Sequence, residues 1–234
     1  MKNIMIWSDF ACPYCYIGEK RLKDAILELG VENEVSITYR AFELNPDASI
    51  RPEGDVTERL AQKYGMTIEE AKRRIEEIDR LGREIGLEMR YSKAKYSNTF
   101  DAHRLMKFAE TEYSKEILET LNESLFKAYF TDHKVLSDRR LLLSLAEEAG
   151  MDPIQSKEVL EQGLYADDVR YDEREAAMRG VRGVPYMVFD GKFAVPGAIS
   201  TDDFKSALRE MLVHKKNVKE HFQGNQCDEK GCKI

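Results

Sequence analysis

Cysteine is scarce: only four occur in 234 residues, at positions 12, 15, 227 and 232. A set so small, held at the two ends, excludes a disulfide-knit scaffold, which spreads many cysteines through a short chain. Long apolar runs are missing as well. The longest stretches, such as Leu141-Leu142-Leu143, fall far short of the roughly 18 residues that a membrane helix needs. Nor is there an excess of basic charge. Lys and Arg number 36 against 43 Asp and Glu, and the net charge of −7 speaks against a nucleic-acid binder with its basic face. Met1-Lys2-Asn3 leads at once into an apolar strand with Cys12 close behind, so a secretory signal does not fit ahead of it. The expected location is the cytoplasm. What remains is 42% hydrophobic and 34% charged, the balance of a soluble globular protein. A chain of this length can bury a substantial core, as one large domain or as one domain carrying an insertion.

The apolar pattern divides the chain into three stretches. Ile4–Trp7 reads as a short buried strand, followed by a helix with Leu22, Ala25, Ile26 and Leu29 on one face. Gly30 is placed to stop that helix, because it takes the left-handed conformation cheaply. In Val35–Ala41 apolar and polar residues alternate, which predicts a half-buried strand. From Val56 to Gly163 only helical signals occur. Thr67 and Glu70 form a capping box ahead of Ile68, Ala71, Ile75 and Ile78. Ala102, Leu105, Met106 and Ala109 make one further apolar stripe, and Ile117, Leu118, Leu121 and Leu125 another. Ser137 is the expected cap of a helix ending at Gly150, and Asp152-Pro153 opens the next. Strand signals return in Tyr186–Phe189 and Lys192–Val195 around Asp190-Gly191, a dipeptide suited to the positive φ angles of a type I′ turn. Thr201 is the expected cap of a last helix carrying Phe204, Leu208, Met211 and Leu212. The order βαβ, helical block, ββα predicts one α/β domain over 1–55 and 167–213. A helical insertion over 56–166 interrupts it, and a polar, mobile tail at 214–234 follows.

Cys12-Pro13-Tyr14-Cys15 is the chain's clearest chemical signal. Two cysteines so spaced at a helix start bring both sulfurs within one turn. The unpaired amides and partial positive charge of the helix N-terminus favour a thiolate on the first. Pro13 fits the first turn, where no amide proton is missed. Cys12 is then the exposed nucleophile, and Cys15 the thiol that resolves a mixed disulfide. Half of a zinc site and a buried structural pair are the competing readings. Zinc usually needs four ligands, and no second closely spaced pair lies nearby. The βαβ setting favours redox chemistry, and no metal is expected here. Gly183-Val184-Pro185-Tyr186 sets a proline before a predicted strand. It is either an ordinary strand-start proline or the cis proline that faces the cysteine pair in a thioredoxin-type fold.

Three segments together resemble the DsbA-like, FrnE-type oxidoreductases: Ser8-Asp9-Phe10-Ala11-Cys12-Pro13-Tyr14-Cys15-Tyr16-Ile17-Gly18, Asn98-Thr99-Phe100-Asp101-Ala102-His103-Arg104, and Gly183-Val184-Pro185. The resemblance runs over about residues 3–213. It implies a thioredoxin-like fold with a large all-helical insertion, Cys12 as nucleophile, Cys15 as resolving thiol and Pro185 as the cis proline, with Pro13, Tyr14 and Val184 beside the substrate. The related 2-hydroxychromene-2-carboxylate isomerases and kappa-class glutathione transferases carry a serine-type site and bind glutathione. The complete Cys-x-x-Cys favours disulfide chemistry over theirs. Pro13-Tyr14 also occurs in glutaredoxins, which keeps glutathione open as a co-substrate; no other cofactor is implied.

Other polar residues carry weaker signals. Asn98, Asp101 and Arg104 share a helix start and either cap it or line the site, while His103 reads as a surface or packing residue. Asp9 is a loop residue with no assigned catalytic role. Lys215, Lys216 and Lys219 are too few to bind nucleic acid. Cys227 and Cys232 in the C-terminal extension are either a second redox pair, a metal site completed by His214 and His221, or a passive tail, and redox pairing is preferred. The expected function is dithiol–disulfide exchange on protein or small-molecule disulfides, without a membrane or nucleic-acid partner. The alternatives are glutathione-dependent isomerisation or transfer on small molecules, and a non-enzymatic redox- or zinc-sensing adaptor.

Overall fold

The structure is a computed structural model that describes residues 1–52 and 54–213 and the backbone of strands at 226–228 and 231–233. Contacts group the chain into two compact units, Met1–Leu44 with Ala176–Ile234, and Asn45–Glu175.

In the first unit, β1 (Lys2–Ser8) runs parallel to β2 (Val35–Ala41) in a register from Lys2 opposite Val35 to Ser8 opposite Ala41. Helix α1 (Pro13–Leu29) makes the crossover and ends where Gly30, at φ 66°, takes the left-handed conformation. After a two-residue strand β3 (Gly183–Val184), β4 (Tyr186–Phe189) lies antiparallel to β1 on its other side, and β5 (Phe193–Pro196) closes a hairpin with β4. Asp190 and Gly191 both hold positive φ at the hairpin tip, as the type I′ reading requires. The Asp190 carboxylate also ties the tip to the start of β1 through Lys2 Nζ, 2.7 Å away. The four-stranded sheet therefore has the order β2-β1-β4-β5. Ile4, Ile6, Met187, Phe189 and Val195 are buried in it.

Helix α9 (Thr201–Leu212) buries Phe204, Ala207, Leu208 and Met211 and packs against α1. Its cap is Ser200, whose hydroxyl accepts from the Asp203 amide, so Thr201 is the first helical residue rather than the cap. One face of α1 comes close to the loops around the proline. A Cβ on Gly18 would stand 3.2 Å from Pro185 Cγ and 3.3 Å from Ala198 Cβ, tighter than ordinary packing. Glycine at 18 lets the helix that starts with the cysteines sit directly on Pro185.

The second unit is helical. It holds α2 (Val56–Tyr64), α3 (Ile68–Glu84), α4 (Phe100–Glu112), α5 (Lys115–Phe130), α6 (Arg139–Glu148), α7 (Pro153–Gln162) and most of α8 (Ala166–Met178). The capping box at Thr67 and Glu70 forms, and Asp152 caps α7 with Pro153 at its start. At α6 the cap is Asp138, which accepts from the Arg140 amide; Ser137 instead donates to the Ile50 carbonyl. That bond explains why residues 45–55 group with the helices and not with the sheet. Asn98 adds to it, because its amide donates to the Ser49 carbonyl and its side chain to Pro46. At the other junction, Asp172 on α8 is fully buried against Lys107 of α4 at 2.7 Å, which anchors α8 in the helical unit as far as Glu175.

The C-terminal extension contributes two short strands, β6 (Gln226–Asp228) and β7 (Gly231–Lys233). They pair antiparallel with Cys227 opposite Cys232, and β6 pairs antiparallel with β3, Val184 opposite Cys227. These strands replace part of the tail that was expected to be mobile. Residues 214–225, with His214, Lys215, Lys216, Lys219 and His221, lie outside the described residues.

Candidate active site

Cys12 is the N-cap of α1, with φ −94° and ψ 113°, and its carbonyl accepts from the Cys15 amide at 3.1 Å. The chain reaches this point in a fixed loop. Asp9 is buried, and its carbonyl accepts from the Cys12 amide at 2.9 Å. Its carboxylate accepts from the Ala11 amide at 3.1 Å and from the Leu44 amide, beyond β2, at 2.7 Å. Asp9 is thus the clamp of the loop before the cysteines. That is a structural role which a three-residue spacing in sequence does not reveal.

Both thiols are free. The Cys12 sulfur donates to the Val184 carbonyl at 3.5 Å, and the Val184–Pro185 peptide bond is cis. Cys12, Cys15, Val184 and Pro185, separated by some 170 residues in the chain, therefore meet at one end of α1. Pro13 and Tyr14 fill its first turn and are buried. Cys12 is buried too, at 0% exposure, where an exposed nucleophile was expected. Its thiol faces the backbone of β3, the strand along whose edge β6 runs.

Burial pushes the Cys15 thiol well above its ordinary range, and the neighbouring Cys12 adds to the rise; a backbone contact at Asp9 and the Ser8 hydroxyl act against it. Ser8 and Glu19, which sequence reasoning passed over, are both buried, and Ser8 Oγ donates to Glu19 Oε1 at 2.8 Å. Folded Cys15 holds a proton that the unfolded chain releases near pH 9.0. This contribution to stability is complete below that pH and is lost as pH rises toward the folded-state value. The reduced protein should accordingly lose melting temperature as pH rises above about 9 by more than a Cys15→Ala protein does. Parallel thermal melts would show this as a widening gap.

The Asn98 to Arg104 segment serves the helical unit. Asn98 Oδ1 accepts from the Phe100 amide at the start of α4. Arg104, buried, binds the carbonyls of Val159, Leu160 and Leu164 at the C-terminal end of α7 and pairs with Asp101. Its guanidinium donates to carbonyls at a helix end, where backbone acceptors outnumber the amides that can serve them. His103 is buried on the same helix. Among the described residues no group of three or more His, Cys, Asp or Glu is placed to hold a metal ion, and no helix is long and apolar enough to cross a membrane.

The mixed sheet, with its antiparallel hairpin beyond β1 and a cysteine pair opening the first helix, defines a thioredoxin-type protein. The chain belongs to the DSBA-like thioredoxin domain family, whose model matches residues 3–209. A crystal structure of a probable DsbA oxidoreductase from Streptomyces coelicolor is similar at TM-score 0.85 and 33% identity, covering 100% of this chain and 99% of that one. The uncharacterized protein YwbO of Bacillus subtilis is 28% identical over 208 residues, which is 88% of this chain and 95% of YwbO. The cytosolic disulfide reductase DsbM of Pseudomonas aeruginosa, solved with GSH, shares the fold at TM-score 0.58 and 16% identity, over 90% of this chain and 98% of that one.

Proposed function

We propose that the protein is a dithiol–disulfide oxidoreductase of the FrnE type, with Cys12 as nucleophile and Cys15 as resolving thiol. The observation that carries this is the Cys12 thiol at the N-terminus of α1, hydrogen-bonded to the carbonyl that precedes Pro185. Cys12 attacks a substrate disulfide, one substrate thiol leaves, and a mixed disulfide remains on Cys12. Cys15 attacks Cys12, forms the internal disulfide and releases the second thiol. With β6 displaced from β3, an extended substrate segment pairs with the backbone at Val184, beside Pro13 and Tyr14. In a reducing cytoplasm the resting form is the dithiol, so the protein acts as a reductase or isomerase. Substrates are protein or small-molecule disulfides, and glutathione is a fitting co-substrate, given Pro13-Tyr14 and the GSH solved with DsbM. The test is capture: a Cys15→Ser protein expressed in cells should accumulate mixed disulfides through Cys12, and their absence would refute the assignment.

Cys227 and Cys232 make a second redox pair in this reading. Directly paired residues of an antiparallel hairpin have Cα atoms about 4.5–5.5 Å apart, inside the range a disulfide spans. Cys227 is registered opposite Val184, whose carbonyl holds the Cys12 thiol. Deleting residues 225–234 is expected to leave the fold and the Cys12/Cys15 chemistry in place and to change the rate of reoxidation. Mass spectrometry of a quenched Cys15→Ser, Cys232→Ser protein should find a Cys12–Cys227 link. Unchanged kinetics and no link would leave the extension without a redox part, and about one bound zinc per chain, lost with either cysteine, would favour a metal site instead.

A further inference from the structure

β6 occupies the edge of β3 that an extended substrate segment needs, so the chain's own C-terminal strand shows how such a segment lies there. It runs antiparallel to β3, with Cys227 opposite Val184 and Asp228 opposite Gly183. Val184 is the residue whose carbonyl accepts from the Cys12 thiol, so the docked strand has its cysteine in register with the nucleophile's own contact. β6 also lies against α1, the helix that the two cysteines open. In an antiparallel pair the chains run in opposite senses. Residues that follow the cysteine of a docked segment therefore pass back along Gly183 toward Arg182. In the chain's own sequence the two residues after Cys227 are both acidic, Asp228 and Glu229.

Arg182 directly precedes β3 and is exposed. Among the described residues it makes no hydrogen bond, ion pair or ring contact. The other arginines of this unit that stand near the site are engaged. Arg179 lies over the Trp7 ring of β1, 5.6 Å from its centroid, and Arg21 of α1 donates to the carbonyls of Ala198 and Ile199. No Asp or Glu occurs from Ala176 to Phe189, although the whole chain carries a net charge of −7. Arg182 is thus a long cation without a counter-ion in its own stretch of chain, beside the strand that receives the substrate. A guanidinium presents a fork of donors that matches a carboxylate.

We infer that Arg182 is a specificity-determining residue, and that the site prefers disulfides in extended peptide segments whose cysteine is followed by one or two acidic side chains. The inference rests on the redox roles proposed above for Cys12 and Cys15 and on substrate pairing at Val184. In the register that β6 adopts, the substrate cysteine lies opposite Val184 and the next residue opposite Gly183, which has no side chain to obstruct it. The residue after that passes Arg182. Successive residues of an extended chain are only about 3.3 Å apart, so one guanidinium can reach a carboxylate at either place. β3 is two residues long and offers few backbone hydrogen bonds, none of which reads sequence. Discrimination among segments therefore falls to side chains just beyond it. β6 is on this account a pseudosubstrate that carries the preferred sequence. Residues before the substrate cysteine run the other way, past Pro185, so an acidic pair placed there gains nothing from Arg182. Arg182 holds the segment and not the reacting sulfurs, so its effect falls on KM and leaves kcat in place.

The test uses the full-length reduced protein and the symmetric disulfides of three end-capped peptides, Gln-Cys-Asp-Glu, Gln-Cys-Asn-Gln and Glu-Asp-Cys-Gln. Each rate is divided by that of dithiothreitol on the same disulfide, because acidic neighbours also slow thiol exchange in free solution. β6 competes with all three peptides alike, so it drops out of the ratios. The wild-type protein should favour Gln-Cys-Asp-Glu over Gln-Cys-Asn-Gln by about threefold to fivefold in kcat/KM, the effect of an exposed ion pair, with the difference in KM. The reversed peptide should behave as the neutral one does. Arg182→Gln should abolish the preference, Arg182→Lys should keep most of it, and Arg182→Glu should place the acidic peptide below the neutral one. Salt near about 1 M should suppress the wild-type preference. A purely structural role for Arg182 would instead lower all three rates together. Equal rates for the acidic and neutral peptides in the wild type, or a preference that survives in Arg182→Glu, would overturn the inference. If the wild-type protein reduces none of the peptides, the roles of Cys12 and Cys15 fail instead, and the two outcomes are distinct.

Discussion

A Cys12→Ser protein is expected to lose disulfide reduction by at least about 1,000-fold, to the rate of the solution thiols that accompany the assay. A serine hydroxyl at this position can keep the hydrogen bond to the Val184 carbonyl and preserve the cap of α1. It has no accessible anion at neutral pH, so it cannot open a disulfide. Cys15→Ser should behave differently. Attack by Cys12 survives, turnover stops, and the mixed disulfide accumulates because nothing resolves it. Insulin-disulfide reduction measures the first effect and non-reducing electrophoresis the second. Near-wild-type turnover in Cys12→Ser would overturn the roles proposed for the pair. Loss of reduction with partner binding kept intact would point to an adaptor that uses the thiols as a sensor.

The sequence carried the sheet and the cysteine pair openly, because both depend on local signals. Alternation in Val35–Ala41, the Asp190-Gly191 dipeptide and the Thr67 capping box each act within a few residues, and each forms. Caps were less legible where two capable residues stand side by side. Ser137 and Asp138 can both cap α6, and the choice falls to Asp138 because Ser137 is engaged by Ile50, 87 residues away. The same limit hid Ser8 and Glu19. Nothing local marks a serine ending a strand and a glutamate on a helix as partners; only the packing of α1 on β1 brings them together. β6 and β7 are three residues each and polar, too short for any alternation to show. Their pairing with β3 depends on a strand of only two residues.

Asp9→Ala should destabilise the first unit by about 3–5 kcal/mol, since it strands two buried amide donors, each of which costs about 1–3 kcal/mol when unpaired, and removes charge-assisted bonds. The donors are the Ala11 amide, inside the cysteine loop, and the Leu44 amide, which lies beyond β2. The side chain therefore holds two distant stretches of backbone in one place, and methyl replacement leaves no acceptor for either. Asp9→Asn separates the contributions. The amide oxygen can serve one donor, but the NH2 group then faces the other, so about half of the loss should remain. Urea unfolding of the reduced proteins gives the stability, and the rate of Cys12 alkylation gives the state of the loop. With the Leu44 bond gone, the segment that positions the Cys12 amide on the Asp9 carbonyl loosens, and alkylation of the buried thiol should accelerate in the order wild type, Asp9→Asn, Asp9→Ala. A loss below about 1 kcal/mol with unchanged alkylation would show that the two amides find other acceptors, and that the loop before the cysteines is held by the helix alone.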